Sequence, residues 1–180
     1  MSTSADRPVR EQARLRPVGY ADPVAQQLIE QVQQEYVVRY GGRDEAVVDP
    51  AEFTPPQGLF LVAEVDGVPA ACGGWRVHDP VSGTVELKRM YVAPAFRRRG
   101  LAALVLAALE RSAADAGHRH LVLNSGDRQP EAPRAVRAAR LHPGRGYGRY
   151  ADSPEAVFLG RSLADGDQPA ADGGEDAWAS

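Results

Sequence analysis

The sequence predicts an α/β (α+β) fold in which a single mixed, mainly antiparallel sheet carries helices on both faces. Three observations predict it. The runs Leu59–Val65, Val68–Val77 and Thr84–Val92 follow one another across short turns, the pattern of an antiparallel meander. Two stretches, Val24 to Tyr40 and Leu101 to Leu109, repeat apolar residues every three or four positions, which is the helical period. The second of these leads from the meander into a further apolar run, His118–Asn124, and a strand reached through a helix tends to lie parallel to its neighbour.

Each element has a local cause. A loosely alternating segment, Val9–Val18, is the first strand. Asp22 is an N-cap and Pro23 occupies the first helical position. Val24, Leu28, Ile29, Val32 and Tyr36 then make one apolar face, which Gly41-Gly42 terminates. Residues 43–58 are acidic and proline-bearing and read as a long loop, either shaping a site or merely connecting. Asp66-Gly67 is a two-residue hairpin signal. Gly73-Gly74, inside the next strand, marks a bulge or a close approach of other groups. Pro94 ends the meander and Gly117 ends the second long helix. A helix is expected over Glu131–Arg140, although its apolar face is almost absent, and two last strands over Gly144–Tyr150 and Glu155–Leu163. The organisation expected is a disordered start (1–8), one domain (9–163) and a disordered acidic tail (164–180).

Composition narrows the function. A net charge of −3 gives no global attraction for nucleic acid, and the cluster Arg97-Arg98-Arg99 lacks the aromatic interleaving of a nucleic-acid surface. No apolar run is long enough to span a bilayer and the N-terminus has no signal-peptide core, so a cytoplasmic protein is expected. The lone Cys72 fits a small buried residue in a reducing compartment. His118 and His120 share a strand face, but no carboxylate or thiol stands at a ligand spacing, and no metal is expected. His78 and His142 read as surface residues, and Trp75, Tyr36, Phe53 and Tyr147 as core or as lining of an acceptor pocket.

The informative stretch is Glu86-Leu-Lys-Arg-Met-Tyr-Val-Ala-Pro-Ala-Phe-Arg-Arg-Arg-Gly-Leu-Ala102. It reads as a strand, a turn and a helix start. Unpaired backbone N–H groups and the positive end of the helix dipole suit a helix start to an anion. Gly100 removes the side chain where a phosphate would approach, and three arginines add permanent positive charge.

In that context Arg97-Arg-Arg-Gly100-Leu-Ala102 resembles the phosphate motif of the GNAT N-acetyltransferase superfamily: Arg or Gln, two free positions, Gly, one free position, then Gly or Ala. Leu123-Asn-Ser-Gly-Asp-Arg-Gln-Pro-Glu-Ala132 and Tyr147-Gly-Arg-Tyr-Ala-Asp-Ser-Pro154 resemble later family segments, the second that of a bacterial subgroup acting on small-molecule or peptide amines. The resemblance implies acetyl-CoA as co-substrate and a primary amine as acceptor, and leaves a homodimer open. It implies that backbone groups near Tyr91 and Val92 pair with the pantetheine arm as with an added strand. It implies that the amides of Arg98, Arg99, Gly100, Leu101 and Ala102, with the Arg97 side chain, hold the pyrophosphate, and that Asn124 touches cofactor or acceptor.

Acetyl transfer from a thioester to an amine requires removal of an amine proton, stabilisation of an oxyanion and alignment of two substrates. Glu86 stands where some family members place a general base, and its position six residues before Val92 predicts that the two share a face. The competing reading of Glu86 is a structural partner of Arg or Lys. Many members also carry Leu-Tyr and then Gly-Tyr or Gly-Phe after the parallel strand, where the tyrosine protonates the leaving thiolate. Here those positions are Ala135-Val136 and Arg140-Leu141. For a suitable choice of codons, a one-nucleotide shift of frame through Ala135–Pro143 reads Leu-Tyr-Ala-Arg-Pro-Gly-Tyr-Thr-Pro, so a pair of compensating frameshifts is expected, with chance similarity as the alternative. Resequencing the gene decides between them. Without the tyrosine, a degenerate acyl-CoA-binding sensor is the alternative to an active enzyme.

Overall fold

A computed structural model describes residues 12–126 and 141–163. Strands β1 (Arg14–Pro17), β2 (Gly58–Val65), β3 (Val68–Asp79), β4 (Thr84–Val92), β5 (His120–Gly126), β6 (His142–Pro143) and β7 (Ala156–Ser162) form one sheet. Their order is β1-β2-β3-β4-β5-β7-β6. The β4–β5 pair is parallel and the others are antiparallel, as the helical crossover between β4 and β5 requires. Helix α1 (Pro23–Tyr40) covers one face and helix α2 (Leu101–Asp115) the other.

The helix ends follow the local chemistry. Asp22 caps α1 by accepting from the Val24 amide at 2.8 Å, and Gly41 closes it in the left-handed conformation at φ 76°. The sheet supports two cores because apolar residues of the central strands alternate between faces. Phe60, Val62, Cys72 and Tyr91 pack with Leu28, Ile29 and Val32 of α1. Leu61, Ala63, Trp75, Val85 and Leu87 pack with Leu101, Val105 and Leu109 of α2. Trp75 and Phe53, candidates for a pocket, are core residues only 2% and 1% exposed.

Gly73-Gly74 combines both expected properties. The β3–β4 register slips between Cys72 and Gly74. A Cβ on Gly74 would lie 2.6 Å from Phe60 and 2.7 Å from Phe53, whose rings are fully packed. Gly74→Ala should therefore cost about 1–3 kcal/mol by overpacking, read as a lower urea midpoint at unchanged slope.

The terminal region differs from expectation. Instead of a strand over Gly144–Tyr150, the chain makes a short pairing at His142–Pro143 and a 3-10 turn at Gly148–Tyr150. Gly148 adopts φ 65°, and a Cβ on Gly146 would meet the Ala151 carbonyl at 2.4 Å, so this glycine pair makes a tight turn rather than an extended strand. The first strand is described only from Arg14 to Pro17 of the expected Val9–Val18. Segments 1–8 and 164–180, the helix expected over Glu131–Arg140, and most of the segment of the shifted reading frame lie outside the described residues.

Candidate active site

Strand β4 carries the site, and a bulge in it decides what faces where. Tyr91 pairs with Cys72, but two positions along β3, Gly74 pairs with Lys88, three positions back on β4. The extra residue is accommodated at Arg89, which takes φ 59°, the left-handed region. An inserted residue shifts the alternation of side chains by one. Tyr91 consequently shares the α1 face with Glu86 and Lys88, whereas Val92 packs with Met90 toward α2. The expectation that Glu86 and Val92 share a face is therefore corrected.

On the α1 face a polar cluster surrounds Glu86, which is 4% exposed. Arg76, its cross-strand partner on β3, donates from Nε and Nη2 to Glu86 Oε2 at 3.0 and 2.9 Å. The same guanidinium donates from Nη1 to Glu52 Oε2 at 2.6 Å, so Arg76 is divided between two carboxylates. Lys88 Nζ stands 3.7 Å from Glu86 Oε1. The pairing with Arg76 is the structural role weighed against catalysis, but it engages one carboxylate oxygen and leaves Oε1 with the longer contact.

A second cation, Arg89, is anchored by the 43–58 loop. It pairs with the Asp44 carboxylate and donates to the Tyr20 hydroxyl at 3.3 Å. Asp44 also accepts from the Tyr150 hydroxyl at 3.1 Å, and its backbone amide donates to Gln33 at 2.9 Å. Burial opposes the Asp44 charge, but Arg89 and Lys88 outweigh it and hold this carboxyl below its ordinary value. Asp44 thus ties the loop, α1, the β4 bulge and the terminal turn together. Sequence reasoning did not single out Asp44, Arg76 or Arg89; the positive φ of Arg89 has no signal in an arginine codon.

Tyr147 completes the cluster from the terminal turn. Its ring packs between His78 at 4.6 Å and Phe158 at 5.0 Å between centroids. Its buried hydroxyl faces Glu86. Burial first, and the Glu86 carboxylate second, push this phenol far above its ordinary value. His78 is exposed, as expected of a surface residue, with its ring against that of Tyr147. Cys72 is buried, donates to the Arg89 carbonyl at 3.4 Å, and is pushed up to about 12 by desolvation, so it is no nucleophile at neutral pH.

Beyond this cluster the sheet splits. The parallel β4–β5 ladder runs from Thr84↔His120 to Leu87↔Leu123 and stops there. β4 continues to Val92 and β5 to Gly126 without pairing to each other. The resulting gap runs along Lys88–Val92 for about five residues, roughly 16 Å at strand rise. Asn124 stands at its closed end, next to Leu123. By register it lies on the same face as Val122, the parallel partner of Glu86.

At the other end of the gap, the chain turns through Pro94–Phe96 into Arg97-Arg98-Arg99-Gly100. Arg98 and Gly100 take φ 60° and 82°, and α2 begins at Leu101 with no side chain capping its first amides. Arg98, Arg99, Gly100 and Ala102 are exposed, whereas Leu101 is in the core. Arg97 is not directed outward. Its Nε donates to the Val92 carbonyl at 3.0 Å, its guanidinium pairs with Glu35 of α1, and it lies over the Tyr91 ring at 5.7 Å. Among the described residues no group of three or more His, Cys, Asp or Glu is placed to hold a metal ion, and no helix is long and apolar enough to cross a membrane.

Comparison with known proteins agrees with this architecture. An IAA acetyltransferase of Azospirillum brasilense is 28% identical over 137 residues, covering 76% of this chain and 89% of that protein. A Klebsiella pneumoniae structure assigned as an acyl-CoA N-acyltransferase superposes with a TM-score of 0.68 at 23% identity, over 84% of this chain and 97% of that one. A GNAT family acetyltransferase from Elizabethkingia anophelis with acetyl-CoA bound superposes with a TM-score of 0.59 at 14% identity, over 84% and 99%. The model of the acetyltransferase (GNAT) family matches residues 25–149, from α1 through the split sheet to the terminal turn, and on that match the chain belongs to the GNAT acetyltransferase family.

Proposed function

We propose that this protein transfers an acetyl group from acetyl-CoA to a primary amine of a small molecule or peptide in the cytoplasm. The observation that carries this reading is the gap between β4 and β5, which starts at Leu87 and Leu123 and leads to the uncapped start of α2. Its edge along Lys88–Val92 is not covered by β5 and lies open to an extended amide-bearing arm, so Tyr91 and Val92 would pair with pantetheine as with an added strand. The amides of Arg98, Arg99, Gly100, Leu101 and Ala102 would hold the pyrophosphate. Arg97 would join them by leaving Glu35. Asn124, at the closed end of the gap, would orient the thioester or the acceptor.

An arm laid in this direction brings its reactive end to the closed apex of the gap, beside Glu86. Glu86 Oε1 would take the amine proton directly or through one water. The acceptor would approach on the α1 face, where Glu52, Asp49, Val77 and His78 line a cavity of about 290 Å³ next to Arg76. Two carboxylates on that wall suit an amine-bearing molecule. Calorimetric titration with acetyl-CoA, followed by an assay of CoA release with spermidine, lysine and an unblocked peptide, tests the proposal. Saturable binding with amine-dependent release supports it. Binding without release with any amine would favour the degenerate acyl-CoA sensor, a reading that the Arg76–Glu86 pairing accommodates. Absence of binding would overturn both.

A further inference from the structure

Three cations, Arg76, Lys88 and Arg89, meet three carboxylates, Glu52, Glu86 and Asp44, around the closed end of the gap, but they are not equally paired. Arg76 holds Glu86 at 2.9 Å and Glu52 at 2.6 Å, and Arg89 holds Asp44 and the Tyr20 hydroxyl. Lys88 is the exception. Its Nζ lies 3.7 Å from Glu86 Oε1 and 3.9 Å from Asp44 Oδ2, beyond hydrogen-bond range of both. Among the described residues Lys88 makes no hydrogen bond, and its side chain is only 11% exposed. An ammonium carries three donors, and a largely buried one with all three unspent calls for an explanation.

The position of Lys88 supplies one. The β4–β5 ladder stops at Leu87↔Leu123, so Lys88 is the first residue of the edge that β5 leaves uncovered. One further step of the same register sets Asn124 across the gap from it. Two residues after Glu86 and before the bulge at Arg89, Lys88 lies on the α1 face with Glu86. Its charge therefore stands beside the proposed base, on the side from which the acceptor would approach.

We propose that Lys88 binds a carboxylate of the acceptor, and that the acceptor is a free α-amino acid. This rests on the acetyl-transfer reading above and narrows it. An α-amino acid carries its amine and its carboxylate on one carbon, the closest spacing two such groups allow. That spacing suits a base oxygen and an ammonium 3.7 Å apart. The amine lies on Glu86 Oε1 and the carboxylate on Lys88 Nζ, so that charges of opposite sign alternate around the site. Transfer of the amine proton to Glu86 leaves the cluster with one cation in excess, and the carboxylate against Lys88 offsets it. A polyamine or a simple amine leaves Lys88 without an acceptor, and a peptide amine offers it only a neutral carbonyl.

Steady-state CoA release tests this with acceptors matched but for the carboxylate: lysine and cadaverine, arginine and agmatine, phenylalanine and phenethylamine, with spermidine and an unblocked peptide alongside. In every pair that supports release, wild-type kcat/KM is expected to be about 30-fold or more higher for the amino acid, the loss that follows when one partner of a buried charge pair is removed. Lys88→Met should lower kcat/KM for the amino acid about 30-fold more than for its decarboxylated counterpart, mainly through KM, and Lys88→Arg should keep most of the preference. Wild type that uses cadaverine, agmatine or phenethylamine as well as the amino acid overturns the inference alone. So does release with spermidine or the peptide and with no amino acid. A loss in Lys88→Met that is equal for both members of a pair assigns Lys88 to the fold or to the acetyl donor and also overturns it. If Lys88→Met does not fold, the wild-type ratios decide by themselves. Wild type that binds acetyl-CoA but releases no CoA with any of these acceptors overturns the acetyl-transfer reading and the inference together.

Discussion

Asp44→Ala should lower the unfolding free energy by about 3–5 kcal/mol, because it leaves a buried guanidinium without its carboxylate. The Arg89 side chain is 5% exposed and that of Asp44 16%, so water replaces little of what is lost. After the substitution Arg89 retains the Tyr20 hydroxyl, a neutral acceptor, and Tyr150 loses its acceptor on the loop. Arg89 is also the residue that takes the left-handed conformation of the bulge, so its release loosens β4 at the edge of the gap. Urea unfolding at pH 7 reads the change as a lower midpoint, and a loss below 1 kcal/mol would remove the pair from the stability of the fold. The effect carries a pH signature. The folded pKa of Asp44 lies below its unfolded value near 3.9, so the stabilisation is complete above about pH 4 and is lost as pH falls through the folded value. The difference between wild type and Asp44→Ala should therefore narrow below about pH 4.

Glu86→Gln should lower kcat by about 10²-fold or more at neutral pH and leave acetyl-CoA affinity within about twofold. The glutamine keeps the shape and can still accept from Arg76, but it offers no carboxylate to an amine proton. Glu86 lies on the α1 face and the proposed phosphate grip lies beyond Val92, about 20 Å away at strand rise, which is why cofactor binding should be spared. The geometry gives this test its weight. A purely structural Glu86 would show its loss in stability, through a weaker hold on Arg76, and not in turnover. Measured kcat with any accepted amine, set against a urea midpoint, separates the two roles. Full turnover in Glu86→Gln would remove it from the mechanism.

The sequence made the frame of this site legible where one residue type has one physical consequence. Asp22-Pro23 starts α1 and Gly41 ends it; Asp66-Gly67 turns between β2 and β3; Gly100 opens α2 with a positive φ. The hydrophobic period assigned the faces of both helices. Tertiary effects were less visible. Alternation along β4 failed at Arg89, because a bulge is set by the register with β3 and not by the local sequence. Asp44 gave no sign of its importance, since one acidic residue in an acidic loop resembles its neighbours until Arg89 and Tyr150 arrive from distant parts of the chain. Gly144–Tyr150 was expected as a strand, but the glycines at 146 and 148 decided the turn. Tyr147 was visible as an aromatic residue, while the placement of its hydroxyl beside Glu86 belongs to the packing of β3, β4 and β7.

The Arg97 contacts have a consequence for how the cofactor enters. Its guanidinium already holds a carboxylate, a carbonyl and an aromatic face. Recruiting it to a pyrophosphate is an exchange of one anion for another, so part of the new attraction is spent in breaking an old one. The displaced counter-ion is Glu35, a fixed part of α1, and it stays behind with Arg39 at 3.1 Å. On the proposed grip, binding of the cofactor would alter the charge balance of α1. Loading of the first substrate would then leave an electrostatic imprint on the place proposed for the second, linking the two halves of the proposed site before any acetyl group moves.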